Sequence, residues 1–249
     1  MKNKNKNKNK NKNYDYDSID TGYYDHILNN SSGAQSKWHE LKFKKIYMMI
    51  NEERPKELLD VACGPGTFLS KLPDSINCYG VDIAQKQIDF ASQKYGKKNV
   101  KFVKCKDAEL PFNNDSFDLV TSVEFIEHIS EDSCKKNLLE ISRCLKKNGK
   151  LIITTPNYRS IWPFLELIVS RVTKENYLEQ HITHYNRNRL EKMMLECGFI
   201  NVKVESYLFL SPFFAYLNND LSNWLFKLEN KFIKRWGNLL IAQGEAVGE

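Results

Sequence analysis

Three side chains that can bind a metal ion or move a proton lie close together near the middle of the chain. They are Glu124, Glu127 and His128. In a helix, spacings of three and four residues place such side chains on one face. Two carboxylates and an imidazole suit a divalent ion such as Mg2+, Mn2+ or Zn2+, or a general base with an orienting partner. The pattern therefore predicts a metal centre or an acid–base site.

A glycine-bearing turn follows an apolar segment that ends near Asp60. Gly64 and Gly66 have no Cβ atom, so the backbone there can turn sharply and approach a ligand closely. Asp82 ends a second apolar segment, where its carboxylate can accept hydrogen bonds from both hydroxyls of a ribose. Together these features predict a site for a nucleotide-like cofactor.

The residue that follows this turn separates two classes of cofactor. Turns that bind dinucleotides read Gly-x-Gly-x-x-Gly/Ala, because a small third residue lets the helix pack against the strand. Leu69 occupies that third position in this chain. A nicotinamide-dependent oxidoreductase is therefore the weakest of the enzyme hypotheses.

The elements that must position these residues alternate between strand and helix from Glu57 onward, which predicts a parallel sheet covered by helices on both faces. Residues 20–53 have helical character ahead of this region. Residues 131–147 repeat apolar side chains at helical spacing, and Ser130 can cap the start of this helix.

The cofactor turn resembles a motif of a known family. The frame Asp60-x-Ala62-x-Gly64-x-Gly66 is similar to the first motif of class I S-adenosylmethionine (SAM) methyltransferases, with Ala62 where their first glycine usually stands. Residues 104–112, 116–129 and 145–157 resemble the next motifs of that family, in the same order. The resemblance implies a Rossmann-like, doubly wound α/β fold with a seven-stranded, mostly parallel sheet and an N-terminal helical cap.

The same resemblance assigns roles to individual cofactor residues. The methionine and ribose part of SAM would lie against Asp60, Ala62, Gly64 and Gly66. The ribose would bind Asp82, with Ile83 as a further cofactor contact, the adenine would face Asp107 and Ala108, and Val123 would line the pocket.

The Glu-x-x-Glu-His pattern resembles that of ubiquinone-pathway O-methyltransferases and of small-RNA 2′-O-methyltransferases, where it binds a metal that activates a hydroxyl. In the RNA enzymes a further histidine precedes a helix beyond the fifth strand, and His181 has a comparable place. The resemblance implies Glu124, Glu127, His128 and His181 as metal ligands, and Glu124, His128 and His181 as catalytic residues. Alternatively, the acids only stabilise a helix N-terminus.

The chain divides into three regions on this interpretation. Residues 1–13 are a Lys-Asn repeat, which is too polar to bury apolar surface and is expected to be disordered. Residues 14–56 are expected to form the helical cap, and residues 57–249 the SAM-binding domain. An aromatic insertion at about residues 158–185 would shape the acceptor site.

The net charge of +6 comes from the N-terminal repeat alone. Without its six lysines, 31 basic residues balance 31 acidic ones, which disfavours nucleic acid as a partner. No apolar segment follows the lysines, and six cysteines occur without a Cys-x-x-Cys pair. We therefore expect a cytoplasmic protein with buried thiols, no transmembrane segment, and a monomeric or homodimeric state.

The apolar residues between 217 and 232 recur at helical spacing and leave two interpretations open. Such a stripe usually packs on a core or a dimer interface, and this is the favoured interpretation. The alternative is peripheral contact with a membrane or a lipid-linked acceptor, helped by basic residues such as Lys227 and Lys231.

The leading functional hypothesis is SAM-dependent O-methylation of a small molecule, a sugar or a lipid-linked intermediate. A metal-assisted RNA 2′-O-methyltransferase is the second enzyme hypothesis. A SAM-binding protein without activity is the third, although Asp82 and the glycine turn are both retained.

Overall fold

The computed structural model describes residues 20–106, 108–172, 177–232 and 236–247. The Lys-Asn repeat at residues 1–13, which was expected to be disordered, lies outside the described residues. Asp107, the predicted adenine contact, lies outside them as well.

A seven-stranded sheet forms the centre of the molecule. Its strands are β1 (Glu57–Val61), β2 (Asn77–Asp82), β3 (Val100–Lys104), β4 (Phe117–Val123), β5 (Leu145–Pro156), β6 (Phe199–Tyr207) and β7 (Leu239–Ala246). They lie in the order β3-β2-β1-β4-β5-β7-β6. The first five strands are parallel, whereas β7 runs antiparallel to both β5 and β6. The predicted doubly wound α/β fold is confirmed.

Alternate residues of the central strands supply two hydrophobic cores, one on each face of the sheet. Leu58, Leu119 and Ile152 belong to one core. Leu59 and Val120 belong to the other. Strands that are buried on both faces read as continuous apolar runs, which is why the sequence pattern revealed them. All six cysteines lie within the described residues, where they are buried as thiols and form no disulfide.

Eight helices are described around the sheet. Their bounds are α1 (Tyr23–Asn30), α2 (Ala34–Glu53), α3 (Gln85–Tyr95), α4 (Glu131–Cys144), α5 (Trp162–Val172), α6 (Tyr177–Gln180), α7 (Arg187–Glu196) and α8 (Asn219–Phe232). The N-terminal helix α2 buries Leu41, Ile46 and Ile50 completely in one of the two cores. In the described part of the chain, no helix combines the length and apolar character needed to cross a membrane.

Helix α4 shows where local pattern and tertiary structure differ. Ser130 caps its start, as predicted, by accepting a hydrogen bond from the Ser133 N–H at 3.2 Å. The expected end at residue 147 is wrong, because α4 ends at Cys144 and Leu145 begins β5. Leu145 pairs with Phe117 of β4 and is 1% exposed, so strand pairing and burial outweigh the helical spacing of this residue.

Helix α8 is oriented differently from the favoured interpretation of its sequence. Phe226 and Glu229 face inward, whereas Trp224 and Leu228 are exposed. The Glu229 carboxylate accepts hydrogen bonds from the backbone N–H groups of residues 209–211, which fixes the rotation of the helix. The expectation that the apolar stripe packs on the core is therefore wrong.

Candidate functional site

The turn after β1 has the left-handed backbone that its glycines permit. Ala62, Gly64 and Gly66 have φ angles of 62°, 50° and 74°. A Cβ atom at Gly66 would lie 2.6 Å from the ring of Phe102 on β3, so no side chain fits there. The turn can therefore bring its backbone close to a ligand.

Asp82 connects this turn to the start of α3. One oxygen of its carboxylate accepts a hydrogen bond from the Gly64 N–H at 2.9 Å, and the other accepts one from the Ala84 N–H at 2.9 Å. The side chain also lines the central cavity. Asp82 thus holds the glycine turn in place, in addition to its predicted contact with a ribose.

Asp60 is a buried carboxyl group at the wall of the cavity. It accepts a hydrogen bond from the Thr121 hydroxyl at 2.6 Å. Burial, together with the neighbouring Asp82 carboxylate, raises the pKa of Asp60 to about 7. A positively charged ligand group would favour the ionised form, because a nearby opposite charge lowers the pKa of a carboxyl group.

A cavity of about 730 Å³ extends from the glycine turn to the insertion. This volume lies within the range of small-molecule binding sites. The N-terminal helices contribute Tyr23, Tyr24 and Trp38, the insertion contributes Trp162 and Tyr177, and the segment before α8 contributes Phe213 and Tyr216. Aromatic residues of the cap and the insertion therefore form part of the cavity wall.

The predicted cofactor residues divide into two groups with respect to this cavity. Its lining includes Asp60, Ala62, Gly64, Asp82 and Val123. Among the described residues, Gly66, Ile83 and Ala108 are not part of the lining. The role of Gly66 is to shape the turn, and the contacts assigned to Ile83 and Ala108 stay predictions.

The acidic turn after β4 differs from the helix that the spacing predicted. A short 3₁₀ helix spans Ile126–His128, and Glu124 precedes it with a φ angle of 51°. Glu124, Glu127 and His128 therefore do not share one helical face. Glu124 instead forms an ion pair with Lys42 of α2 and accepts a hydrogen bond from the Trp38 indole at 3.3 Å.

Electrostatics keep Glu124 ionised within this buried pair. Burial alone would raise the pKa of Glu124, but the Lys42 ammonium outweighs it and holds the pKa at about 2. The neighbouring His39 is buried, and burial lowers its pKa to about 3. A carboxylate that is held in its charged form by an ion pair takes up a proton less readily than an unpaired one. The observed contact of Glu124 is instead with Lys42 of α2.

The other three predicted ligands come together. Potential ligand atoms of Glu127, His128 and His181 all lie within 4.8 Å of one another. Glu127 is completely buried, and one of its carboxylate oxygens accepts a hydrogen bond from the Thr155 hydroxyl at 2.9 Å. Its second oxygen, Oε1, has no hydrogen-bond partner in the described part of the chain. Burial raises the pKa of Glu127 to about 7 and lowers that of His128 to about 3.

Two residues outside the predicted set of ligands and catalytic residues hold His181 in place. The carboxylate of Glu166 contacts Nδ1 of His181. The Tyr158 hydroxyl lies 3.0 Å from the same nitrogen and donates a hydrogen bond to Glu166 at 2.7 Å. The available signal was that Glu166 is the one acidic residue within the apolar helix α5.

The donor set of Glu127, His128 and His181 fits a divalent ion. It combines two imidazoles with a buried carboxylate oxygen that has no partner among the described residues. Nδ1 of His128 lies 3.2 Å from the Gln180 carbonyl, and Nδ1 of His181 faces Glu166. An acceptor at Nδ1 selects the tautomer that has its lone pair on Nε2, the arrangement found in histidines that bind metals.

Helix α1 is attached to the glycine turn through Asp25. This buried carboxylate accepts a hydrogen bond from the Thr67 hydroxyl at 2.8 Å and also contacts Lys94 and Tyr95 at the end of α3. Burial alone would raise the pKa of Asp25, but these hydrogen bonds outweigh it and lower the pKa. The N-terminal helices are thus fixed over the cavity by specific polar contacts.

Comparison with known proteins agrees with this geometry. A family model described as a methyltransferase domain matches residues 59–153. Among curated proteins, the demethylmenaquinone methyltransferase of Staphylococcus aureus is 26% identical over 205 residues, covering 74% of this chain and 83% of that enzyme.

Solved structures of methyltransferases have the same fold. A SAM-dependent methyltransferase from Archaeoglobus fulgidus gives a TM-score of 0.59 at 20% identity, covering 83% of this chain and 93% of that protein. Phosphoethanolamine N-methyltransferase 2 of Haemonchus contortus, solved with SAM, gives 0.58 at 19% identity, covering 89% of this chain and 59% of that enzyme. The strand order, the glycine turn and these comparisons lead to one conclusion: the chain is a SAM-dependent methyltransferase with the class I fold.

Proposed function

We propose that this methyltransferase transfers the methyl group of SAM to a hydroxyl oxygen of a small molecule, a sugar or a lipid-linked intermediate. The observation that carries the proposal is the buried Oε1 atom of Glu127. It has no hydrogen-bond partner in the described part of the chain, and Glu127 lines the cavity together with His128 and His181. An unpartnered buried carboxylate oxygen is costly unless a ligand satisfies it.

The acceptor hydroxyl is expected to bind between this cluster and the methyl group. Its oxygen forms a bond to the methyl carbon while the carbon–sulfur bond breaks, and the electron pair of that bond stays on sulfur. The hydroxyl proton passes to Glu127, which acts as the general base. The Thr155 hydroxyl holds the other oxygen of the Glu127 carboxylate and so orients it. The protein mainly supplies alignment, as in other in-line displacements.

A metal-assisted version uses the same residues. Glu127, His128 and His181 would hold the ion, which would lower the pKa of the acceptor hydroxyl. Glu166 and Tyr158 would then orient His181 from behind. The role of Glu124 as a fourth ligand stays a prediction, since its carboxylate is paired with Lys42.

The size and lining of the cavity support a small acceptor. Aromatic residues of α1, α2, α5 and the segment before α8 contribute to its walls. The relative from Staphylococcus aureus is named for a small-molecule acceptor, demethylmenaquinone. This support extends to the class of acceptor and not to its identity, because fold and cofactor site do not determine the substrate.

The proposal is tested by following S-adenosylhomocysteine release with a panel of hydroxyl-bearing small molecules, sugars and lipid-linked compounds. The assay is repeated with a chelator and after re-addition of Mg2+, Mn2+ or Zn2+. Activity that needs the ion identifies the metal-assisted version, whereas activity that a chelator does not change supports direct transfer of the proton to a side chain, for which Glu127→Gln is the test. Methylation of nitrogen or carbon, with no product methylated on oxygen, would overturn the proposal.

A further inference from the structure

Helix α8 and the segment before it present several large apolar side chains to solvent. Trp224 is 56% exposed, Phe232 is 71% exposed and Tyr216 is 75% exposed. We define the α8 surface as the exposed side chains of Tyr216, Leu217, Leu221, Trp224, Leu228 and Phe232. Single exposed apolar residues are common, but four along one stripe of α8 and two more just before the helix are characteristic of a binding surface.

The fold keeps this surface outward. The inner face of α8 is fixed by the Glu229 carboxylate, which accepts the N–H groups of Leu210 and Ser211, each at 2.7 Å. Ser222 adds a hydrogen bond of 2.7 Å to the carbonyl of Ser211, and Phe226 is buried. A rotation of α8 that buried the apolar stripe would break these contacts and expose Phe226. The exposure of the stripe is therefore built into the fold.

The α8 surface reaches the mouth of the cavity. Tyr216 belongs to the surface and also lines the cavity, together with its neighbour Phe213. On α5, Ile168 lines the cavity and is exposed, and Phe164 is exposed one turn before it. Exposed apolar side chains of α5 and of the segment before α8 therefore lie at the edge of the cavity where the acceptor is expected.

Charge distinguishes between the partners that such a surface could meet. Lys227 and Lys231 are exposed beside the apolar stripe. Of the two acidic residues in α8, Asp220 lies at its N-terminus and Glu229 is buried. An apolar stripe with aromatic residues and flanking lysines is the pattern of helices that lie in the interface of an anionic membrane. If two copies of the surface packed together, the positively charged lysines of both copies would lie near one another and repel.

We propose that the α8 surface docks on an anionic lipid bilayer and places the mouth of the cavity at the membrane interface. Docking itself does not depend on the proposed function. The consequence that an acceptor with a lipid anchor enters directly from the bilayer rests on the proposed function and narrows it to this class of acceptor.

The test is co-sedimentation of the full chain with vesicles of phosphatidylcholine, with and without phosphatidylglycerol. The wild type is expected to bind the anionic vesicles, and Trp224→Ser/Leu228→Ser is expected to lower the partition coefficient about tenfold or more, because two large apolar side chains lose their contact with lipid. Leu139→Ser/Leu195→Ser, at exposed positions on α4 and α7, is the matched control and should bind as the wild type does.

A second variant tests the contribution of charge. Lys227→Glu/Lys231→Glu should reduce binding to anionic vesicles, with the larger effect at low salt. The basic N-terminal repeat is present in every variant, so differences between variants report on α8. No vesicle binding by the wild type, or equal binding by the wild type and Trp224→Ser/Leu228→Ser, would overturn the proposal. The proposal would also be overturned if the wild type binds no vesicles and forms a dimer that Trp224→Ser/Leu228→Ser dissociates.

The result of the membrane-docking test can be separated from the result of the test of the proposed function. Stabilisation of Trp224→Ser/Leu228→Ser by S-adenosylhomocysteine, and methylation of a water-soluble acceptor, should match the wild type. If these are normal and vesicle binding is absent, membrane docking fails alone. If vesicle binding follows the expected order and no hydroxyl acceptor is methylated, the proposed function fails alone.

Discussion

The Thr155 hydroxyl donates a hydrogen bond of 2.9 Å to one carboxylate oxygen of Glu127. The other oxygen, Oε1, has no partner among the described residues, although Glu127 is completely buried. The chain thus fixes the carboxylate from one side and leaves its second oxygen to interact with a ligand. This asymmetry distinguishes Glu127 from Glu124, whose carboxylate is paired with Lys42.

Glu127→Gln is expected to lower kcat by a factor of about 10² to 10⁴, the usual contribution of a general base. The amide keeps the shape of the side chain but cannot accept the proton of the acceptor. Binding of S-adenosylhomocysteine, measured by calorimetry, should stay close to the wild-type value. Glu52→Gln, at an exposed position on α2, is the control and should retain full activity. Equal activity of Glu127→Gln and wild type would exclude this role.

Glu166→Gln should weaken the orientation of His181. Loss of an outer carboxylate partner of a catalytic or metal-binding histidine typically costs about 10- to 100-fold in activity or metal affinity. The effect should fall on kcat more than on the KM for SAM, and Glu166→Asp should restore part of the activity. Steady-state kinetics of the wild type, Glu166→Gln and Glu166→Asp provide the measurement. A merely structural role would instead appear as a lower melting temperature with unchanged kcat.

Asp82→Ala should weaken cofactor binding, because the carboxylate holds the N–H groups of Gly64 and Ala84 and is expected to contact the ribose. Hydrogen bonds to a charged group contribute about 1.5–3 kcal/mol each. An increase of the Kd for S-adenosylhomocysteine by about tenfold or more is therefore expected in calorimetry. Asp89→Ala, an exposed position on α3, provides the control. An unchanged Kd for the Asp82 variant would contradict the assignment.

Asp60 should make the stability of the ligand-free protein depend on pH. Burial raises its pKa from 3.8 to about 7, so the folded state binds a proton more strongly than the unfolded state. The stabilisation from Asp60 is complete below its unfolded pKa and is lost as the pH rises through about 7. Asp60→Asn removes this ionisation. Its melting temperature should therefore fall less than that of the wild type across this pH range, and parallel curves would refute the argument.

Local sequence patterns were sufficient to predict the sheet and the cofactor turn. Gly64 and Asp82 lie at the ends of apolar segments, and parallel strands bring such ends to one edge. The end of α4 was predicted three residues too late, because the spacing of Leu145 fits a helix although its backbone pairs with β4. The orientation of α8 depends on Glu229, whose partners lie 18 to 20 residues earlier in the chain.

The candidate site was also predicted only in part, because some of its contacts join residues that are distant in the sequence. Glu127, His128 and His181 come together as the resemblance implied. The partner of Glu124 is Lys42, which is 82 residues away, and nothing in the local pattern connects them. Glu166 was missed because its contact with His181 joins two positions that are 15 residues apart in the chain.

The most direct test of the central claim uses SAM with a ¹³C-labelled methyl group, an acceptor identified by the panel, and NMR of the product. The account predicts that the label appears on an oxygen of the acceptor with wild-type enzyme. It also predicts that the label is transferred about 100-fold more slowly or slower still with Glu127→Gln, although this variant still binds S-adenosylhomocysteine. Label on nitrogen or carbon, or equal transfer by Glu127→Gln, would contradict the account.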